Sequence, residues 1–103
     1  MAQRIIVYWR DIPAQVIIRE GRRAEKRELP ERFIQAVDRA AMRAGARDSD
    51  AYLAEWRRSA AEPCGDDLPA EAAAAVTALD RAYDAARLAA LVRAGGHEPA
   101  KDA

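Results

Sequence analysis

The chain has 103 residues, equal numbers of acidic and basic side chains, and one cysteine. This length suits a single domain with one modest hydrophobic core. A lone cysteine excludes an internal disulfide and fits a reducing compartment, and no apolar run is long enough for a signal peptide or a membrane span. We therefore expect a cytoplasmic protein with no membrane association.

The two halves of the chain differ in charge. Residues 1–47 carry eleven basic and six acidic groups, a net charge of +5, and because the whole chain sums to zero, residues 48–103 carry −5. Such an asymmetry bears on association rather than on fold. One interpretation is that the two halves attract each other, and the competing one is that the basic half attracts nucleic acid.

The first predicted elements are β-strands. Residues 4–9 and 15–19 are rich in β-branched and aromatic side chains, which is typical of strands, and residues 11–14 predict the turn between them. Pro13 favours that turn because it fixes φ and lacks a backbone N–H. Residues 24–29 alternate weakly and predict a third, solvent-facing edge strand with charges that discourage aggregation.

Helices are predicted from Pro30 onward. Pro30 suits the first turn of a helix, whose apolar stripe includes Phe33 and which ends at Gly45. A short second helix is predicted to begin at an N-cap, either Asp48 or Ser49, and to end at Arg57 and Arg58, where basic side chains suit the helix dipole.

A third and longest helix is predicted over residues 68–93, after a loop at 62–67. Residues 95–103 predict a disordered C-terminal tail, so residues 1–94 form the single expected domain. The predicted fold is α+β, with a two- to three-stranded antiparallel sheet followed by three helices, the last one longest.

Two aromatic and charged clusters are candidates for contact with a partner. They contain Tyr8, Trp9, Arg10, Asp11, Trp56 and Arg57. Aromatic and arginine side chains dominate the energetics of protein interfaces, which favours a binding role. The structural alternative is that both tryptophans belong to the core while the charged residues hold a turn or face solvent.

The predicted second hairpin carries a group of basic residues. They are Arg19, Arg22, Arg23, Lys26 and Arg27. Such an arm could contact phosphates or lie in a nucleic-acid groove. Three glutamates are interleaved with these residues and the sequence pI is about 6.6, which argues against nucleic-acid binding.

No pattern of catalytic or metal-ligating residues is present in the sequence. Cys64 and His97 are the only soft metal ligands, and they flank a long predicted helix. Asp66 and Asp67 precede that helix, where a capping role is the expected one. We therefore predict no metal, no cofactor and no catalytic residue, which argues against an enzyme, although a subunit can contribute one residue to a shared site.

Several runs of the sequence resemble a known family. The runs are residues 6–16, 29–33, 36–45 and 50–56. Together they resemble the bacterial "virulence factor" domain family, small proteins similar to the C-terminal part of conserved virulence factor C. The resemblance covers about residues 3–60, and its most specific part is Tyr-Trp-Arg-Asp-Ile-Pro at residues 8–13.

The resemblance implies an association with virulence and carries over no catalytic residue. It also implies an accessory role beside folate- or corrinoid-dependent methyl-transfer proteins. We expect a small cytoplasmic, non-enzymatic interaction or accessory protein that binds a partner protein or its own copy. The alternatives are an accessory subunit of a methyl-transfer system and nucleic-acid binding through the basic hairpin.

Overall fold

Within residues 1–46 and 50–98, which the computed structural model describes, the chain forms five strands and four helices. They are β1 (Ala2–Trp9), β2 (Ile12–Glu20), β3 (Arg23–Glu28), α1 (Glu31–Arg43), α2 (Asp50–Ala54), β4 (Trp56–Arg58), β5 (Glu62–Cys64), α3 (Leu68–Ala82) and α4 (Ala85–Arg93). All strand pairs are antiparallel.

Strand β1 lies in the middle of the sheet. One of its edges pairs with β2, which in turn pairs with β3, and its other edge is shared by β4 and β5. Ser59 fills the gap between those two short strands: its Oγ accepts from the Ile6 N–H at 2.9 Å and its own N–H donates to the Ile6 carbonyl at 2.8 Å. The most apolar strand therefore has hydrogen-bonding partners along both edges.

The turn predicted at residues 11–14 is wrong in position. The connection between β1 and β2 is Arg10–Asp11, where Arg10 takes a φ of +51°, and β2 already begins at Ile12. Pro13 is accommodated because the register shifts here: Val7 faces Gln15 while Tyr8 faces Pro13, so Ala14 is an extra, bulged residue. The Ala14 carbonyl accepts from the Leu29 N–H at 3.0 Å instead.

The prediction of two or three strands followed by three helices is also wrong, because β4 and β5 lie between α2 and α3. Arg57 and Arg58 were expected to end a helix, but they belong to β4, opposite Tyr8 and Val7. Strands of three residues are too short to show alternation, and the free edge of β1 determines that they form.

The predicted long final helix is two helices. α3 ends at Ala82, Tyr83 leaves the helical conformation with φ −109° and ψ 73°, and Asp84 caps α4 by accepting from the Arg87 N–H at 2.8 Å. The last helix is therefore not the longest. The apolar spacing runs through the break without interruption, so periodicity alone does not reveal it.

The predicted first helix is confirmed as α1. Pro30 lies at its N-cap, and its buried residues include Phe33 and Val37. α3 packs on β2 and β3, whereas α1 packs on β2 and on α4. The shared core is built around Trp9, Phe33, Ile12, Ile18, Leu91 and Val16.

Two predictions concern residues at the limits of the description. The N-cap proposed at Asp48 or Ser49 lies outside the described residues. The structure describes residues 95–98, which form hydrogen bonds with the β1–β2 turn. Residues 99–103 lie outside the description, so the disordered tail over 95–103 stays a prediction.

Candidate functional site

The β1–β2 turn is held between two other parts of the chain. The Asp11 N–H donates to the Gly96 carbonyl at 2.8 Å and the Arg10 N–H donates to the Glu55 carbonyl at 3.1 Å. Nη1 of Arg10 donates to the Gly95 carbonyl at 2.8 Å. These contacts fix Arg10 in a left-handed conformation that non-glycine residues rarely adopt.

Arg10 itself is largely buried. Its guanidinium carbon lies 5.0 Å from the ring centroid of Trp9, and its Nε is 3.6 Å from a carboxylate oxygen of Glu55. That Nε is buried with no hydrogen-bond partner among the described residues. Arg10 therefore serves to hold the turn and is not a free surface cation.

Trp9 is completely buried beneath the turn. Its Nε1–H donates to the Tyr52 carbonyl at 2.9 Å, and its ring lies 5.8 Å from the Tyr52 ring. Gly96 lies against the other side, where an added Cβ would be 2.8 Å from Cζ3 of Trp9. A side chain at position 96 would displace the indole ring.

Trp56 extends this aromatic cluster to the surface. It is paired with Trp9 across β1 and β4, and its ring meets that of Tyr52 edge to face at 6.0 Å. The side chain is half-buried. Trp9 and Trp56 thus place the strands that carry the neighbouring polar side chains.

Arg57 joins the turn to the exposed side of β1. Its guanidinium lies over the Tyr8 ring at 4.4 Å, its Nε donates to the Arg10 carbonyl at 2.9 Å, and its Nη2 is 3.1 Å from Oδ1 of Asp11. The other carboxylate oxygen of Asp11 accepts from the Glu98 N–H at 2.6 Å. Partial burial raises the pKa of Asp11, but these hydrogen bonds and the charge of Arg57 outweigh it, so the pKa lies below its usual value.

A second arginine, on α4, lies over a tyrosine at the junction between α3 and α4. The guanidinium of Arg87 is 3.9 Å from the Tyr83 ring centroid, and its Nη2 is 3.1 Å from Oε1 of Glu98. Arg87 Nη1 also donates to the Ala82 carbonyl at 3.1 Å. Burial raises the pKa of Tyr83, and the nearby Tyr8 adds to the effect.

The two arginine–tyrosine pairs face each other across a polar cleft, here called the tyrosine–arginine cleft. It is lined by Tyr8, Asp11, Arg57, Ser59, Ala60, Tyr83, Arg87 and Glu98. Both guanidinium groups are fixed by ion pairs, whereas neither tyrosine hydroxyl makes a hydrogen bond with any described residue. The cleft therefore offers two phenol groups, each able to donate and accept.

A scan against protein families matches the model described as "Virulence factor" over residues 7–92. The chain belongs to this family. The match confirms the resemblance, and it extends past residue 60 to include α3 and most of α4. Searches of curated proteins and of solved structures find no match.

The virulence-factor match includes most of the tyrosine–arginine cleft. Tyr8, Arg57, Tyr83 and Arg87 lie within residues 7–92, and Glu98 lies after them. Only three of the six residues predicted for partner binding line this cleft. They are Tyr8, Asp11 and Arg57, while Trp9 is buried and Arg10 largely buried at the β1–β2 turn. Trp56 pairs with Trp9 across the strands and lines a separate pocket against α1.

Sequence reasoning did not find the half of the cleft contributed by the C-terminal helices. Tyr83 and Arg87 are four residues apart, a spacing that would bring the side chains together on the continuous helix predicted over residues 68–93 and was the available signal. Glu98 gives no such signal because it lies beyond the last helix.

The basic hairpin lies at the other end of β2 from Asp11. Two of its arginines are close to glutamates: Arg23 at 3.7 Å from Glu20 and Arg27 at 2.8 Å from Glu25. The other members, Arg19, Arg22 and Lys26, are exposed and form no ion pair with a described residue. The structure thus separates the predicted nucleic-acid surface from the cleft.

Cys64 is half-buried in β5. Burial and the nearby carboxylate of Glu71 raise the pKa of the Cys64 thiol, which keeps it protonated and weakly nucleophilic at neutral pH. Among residues 1–46 and 50–98 no group of histidine, cysteine and acidic residues is arranged to hold a metal ion. None of the described helices is long and apolar enough to span a membrane.

Proposed function

We propose that this virulence-factor domain is a cytoplasmic, non-enzymatic interaction protein that binds a partner protein through the tyrosine–arginine cleft. The observation that carries the proposal is the pair Tyr8 and Tyr83, which line a surface cleft and whose hydroxyls make no hydrogen bond with any described residue. Tyrosine and arginine are the residue types enriched at the energetic centres of interfaces.

The organisation of the cleft supports binding because little of it has to be ordered when a partner arrives. Arg57 and Arg87 each lie over a tyrosine ring and are each tied to a carboxylate. Their rotamer entropy is therefore lost on folding and not on association, which favours affinity. Arg57 and Arg87 are about half and two-fifths exposed, so a partner can reach them.

The six residues predicted for binding divide into two roles under this proposal. Tyr8, Asp11 and Arg57 contact the partner, while Trp9, Arg10 and Trp56 position them. Substitution of Trp9 would therefore change partner binding by disturbing the fold, so it does not test whether Trp9 contacts the partner.

The test is removal of the two hydroxyls alone. In the native host, a tagged Tyr8→Phe/Tyr83→Phe variant is compared with the wild-type chain by affinity purification at moderate salt and mass spectrometry. Since each lost hydrogen bond is worth about 1 kcal/mol, we expect recovery of a stoichiometric partner, and its affinity for the purified chain, to fall about tenfold or more.

Tyr52→Phe is the matched control, because the Tyr52 hydroxyl lies in the aromatic cluster and outside the cleft. Equal recovery with the double variant and with the control would overturn the proposal, provided that circular dichroism shows both variants folded. A methyl-transfer enzyme as the recovered partner would identify the chain as its accessory subunit, as the family resemblance implies.

A further inference from the structure

A second surface of the molecule is a groove between α1 and α4. The two helices run in the same direction: Arg32 at the start of α1 pairs with Asp80, close ahead of α4, and Arg43 at the end of α1 donates to the Arg93 carbonyl at 3.1 Å. The groove shares no lining residue with the tyrosine–arginine cleft.

The floor of the groove is apolar. It is formed by Ala36, Ala85, Leu88, Ala89 and Val92. Residues 85, 89 and 92 follow each other at i, i+4 and i+7 and therefore lie along one face of α4. At 1.5 Å per residue this face is about 10 Å long, which corresponds to two helical turns.

The rim of the groove is positively charged. Arg32, Arg39 and Arg93 line it, and no aspartate or glutamate does. Arg32 is neutralised by Asp80 at 2.6 Å, whereas Arg39 and Arg93 are exposed and form no ion pair with a described residue. Two uncompensated cations thus lie on opposite sides of an apolar floor.

We propose that this groove binds an acidic amphipathic helix of a partner protein. A helix with apolar residues at i, i+4 and i+7 matches the length of the floor, and carboxylates beside that stripe would meet Arg39 and Arg93. The alanine side chains at positions 85 and 89 allow the backbone of such a helix to approach to the usual packing distance of about 8–10 Å. The apolar floor disfavours a nucleic-acid backbone, which would bring phosphates onto it.

The test uses a display library of 16-residue peptides with leucine fixed at helical spacing and all other positions randomised. We expect binders to the wild-type chain to be enriched in aspartate and glutamate beside the leucines. A synthetic copy of the best binder should lose about tenfold in affinity to an Arg39→Glu/Arg93→Glu variant, because two favourable charge pairs become repulsive.

Two further variants make the result specific to the groove. Ala89→Trp fills an exposed part of the floor and should abolish binding, while Arg81→Glu reverses an exposed charge on α3 outside the groove and should leave binding unchanged. The proposal is overturned if no peptide binds, if the binders are not acidic, or if the charge-reversed variant binds them equally. Because the two sites share no lining residue, the cleft proposal is unaffected by any of these results.

Discussion

Replacing Trp9 by alanine tests whether this residue supports the cleft or forms part of its surface. The side chain is fully buried, donates a hydrogen bond to the Tyr52 carbonyl and fills the space beside Gly96. Truncation of a buried tryptophan to alanine costs about 3–5 kcal/mol. A domain of this size has a free energy of unfolding of about 5–15 kcal/mol, so the variant loses a large part of its stability.

Urea denaturation followed by circular dichroism measures this loss. With an m-value of about 1.5–2 kcal/mol/M, the midpoint should fall by about 2 M relative to wild type. Leu53→Ala is the control, since that side chain is 68% exposed and its removal should change stability by less than about 0.5 kcal/mol. A midpoint for Trp9→Ala within about 0.5 M of wild type would refute the assignment of Trp9 to the core.

Two further predictions concern the same turn. Gly96→Ala should lower the free energy of unfolding by about 2 kcal/mol or more, because φ is +98° and the new Cβ would meet Trp9 at 2.8 Å. Gly21→Ala is the control: φ is +59° in open space, and the free energy of unfolding should fall by about 1 kcal/mol. Thermal unfolding measures both changes. Partial burial raises the pKa of Asp11, but hydrogen bonds and the charge of Arg57 outweigh this effect, so the folded pKa lies below its usual value. The ionised carboxylate therefore stabilises the fold above the unfolded pKa of about 3.9, and this stabilisation is lost as pH falls through the folded pKa. Acid titration monitored by circular dichroism should therefore show a smaller loss of stability below about pH 4 in Asp11→Asn than in wild type, and equal slopes would contradict the ion pair.

The parts of the fold that could be predicted are those with a strong local pattern. β1 and β2 contain the β-branched residues, and α1 begins at a proline and ends near a glycine. β4 and β5 could not be predicted because their three residues acquire strand geometry from the edge of β1 and not from their own composition. The break at Tyr83 and Asp84 was missed because apolar spacing continues across it.

The part of the candidate site that could be predicted consists of residues that are neighbours in the sequence. The run of aromatic and charged residues at 8–11 and the pair at 56–57 indicated it, and β4 brings the two together. The burial of Trp9 and Arg10 could not be predicted, because the residues that pack on them lie more than 80 positions later in the chain. An alternating pattern describes the two faces of a strand but does not identify what packs on them.

The contact between the β1–β2 turn and Gly95–Gly96 has a consequence for synthesis of the chain. A domain made on the ribosome emerges from its N-terminus, so the first hairpin is available long before residues 95–96. Until they arrive, Trp9 lacks one wall of its site and the Asp11 N–H lacks its acceptor. Final closure of this turn therefore follows synthesis of the rest of the sheet, and truncation of the chain before residue 95 would leave the hairpin without these contacts.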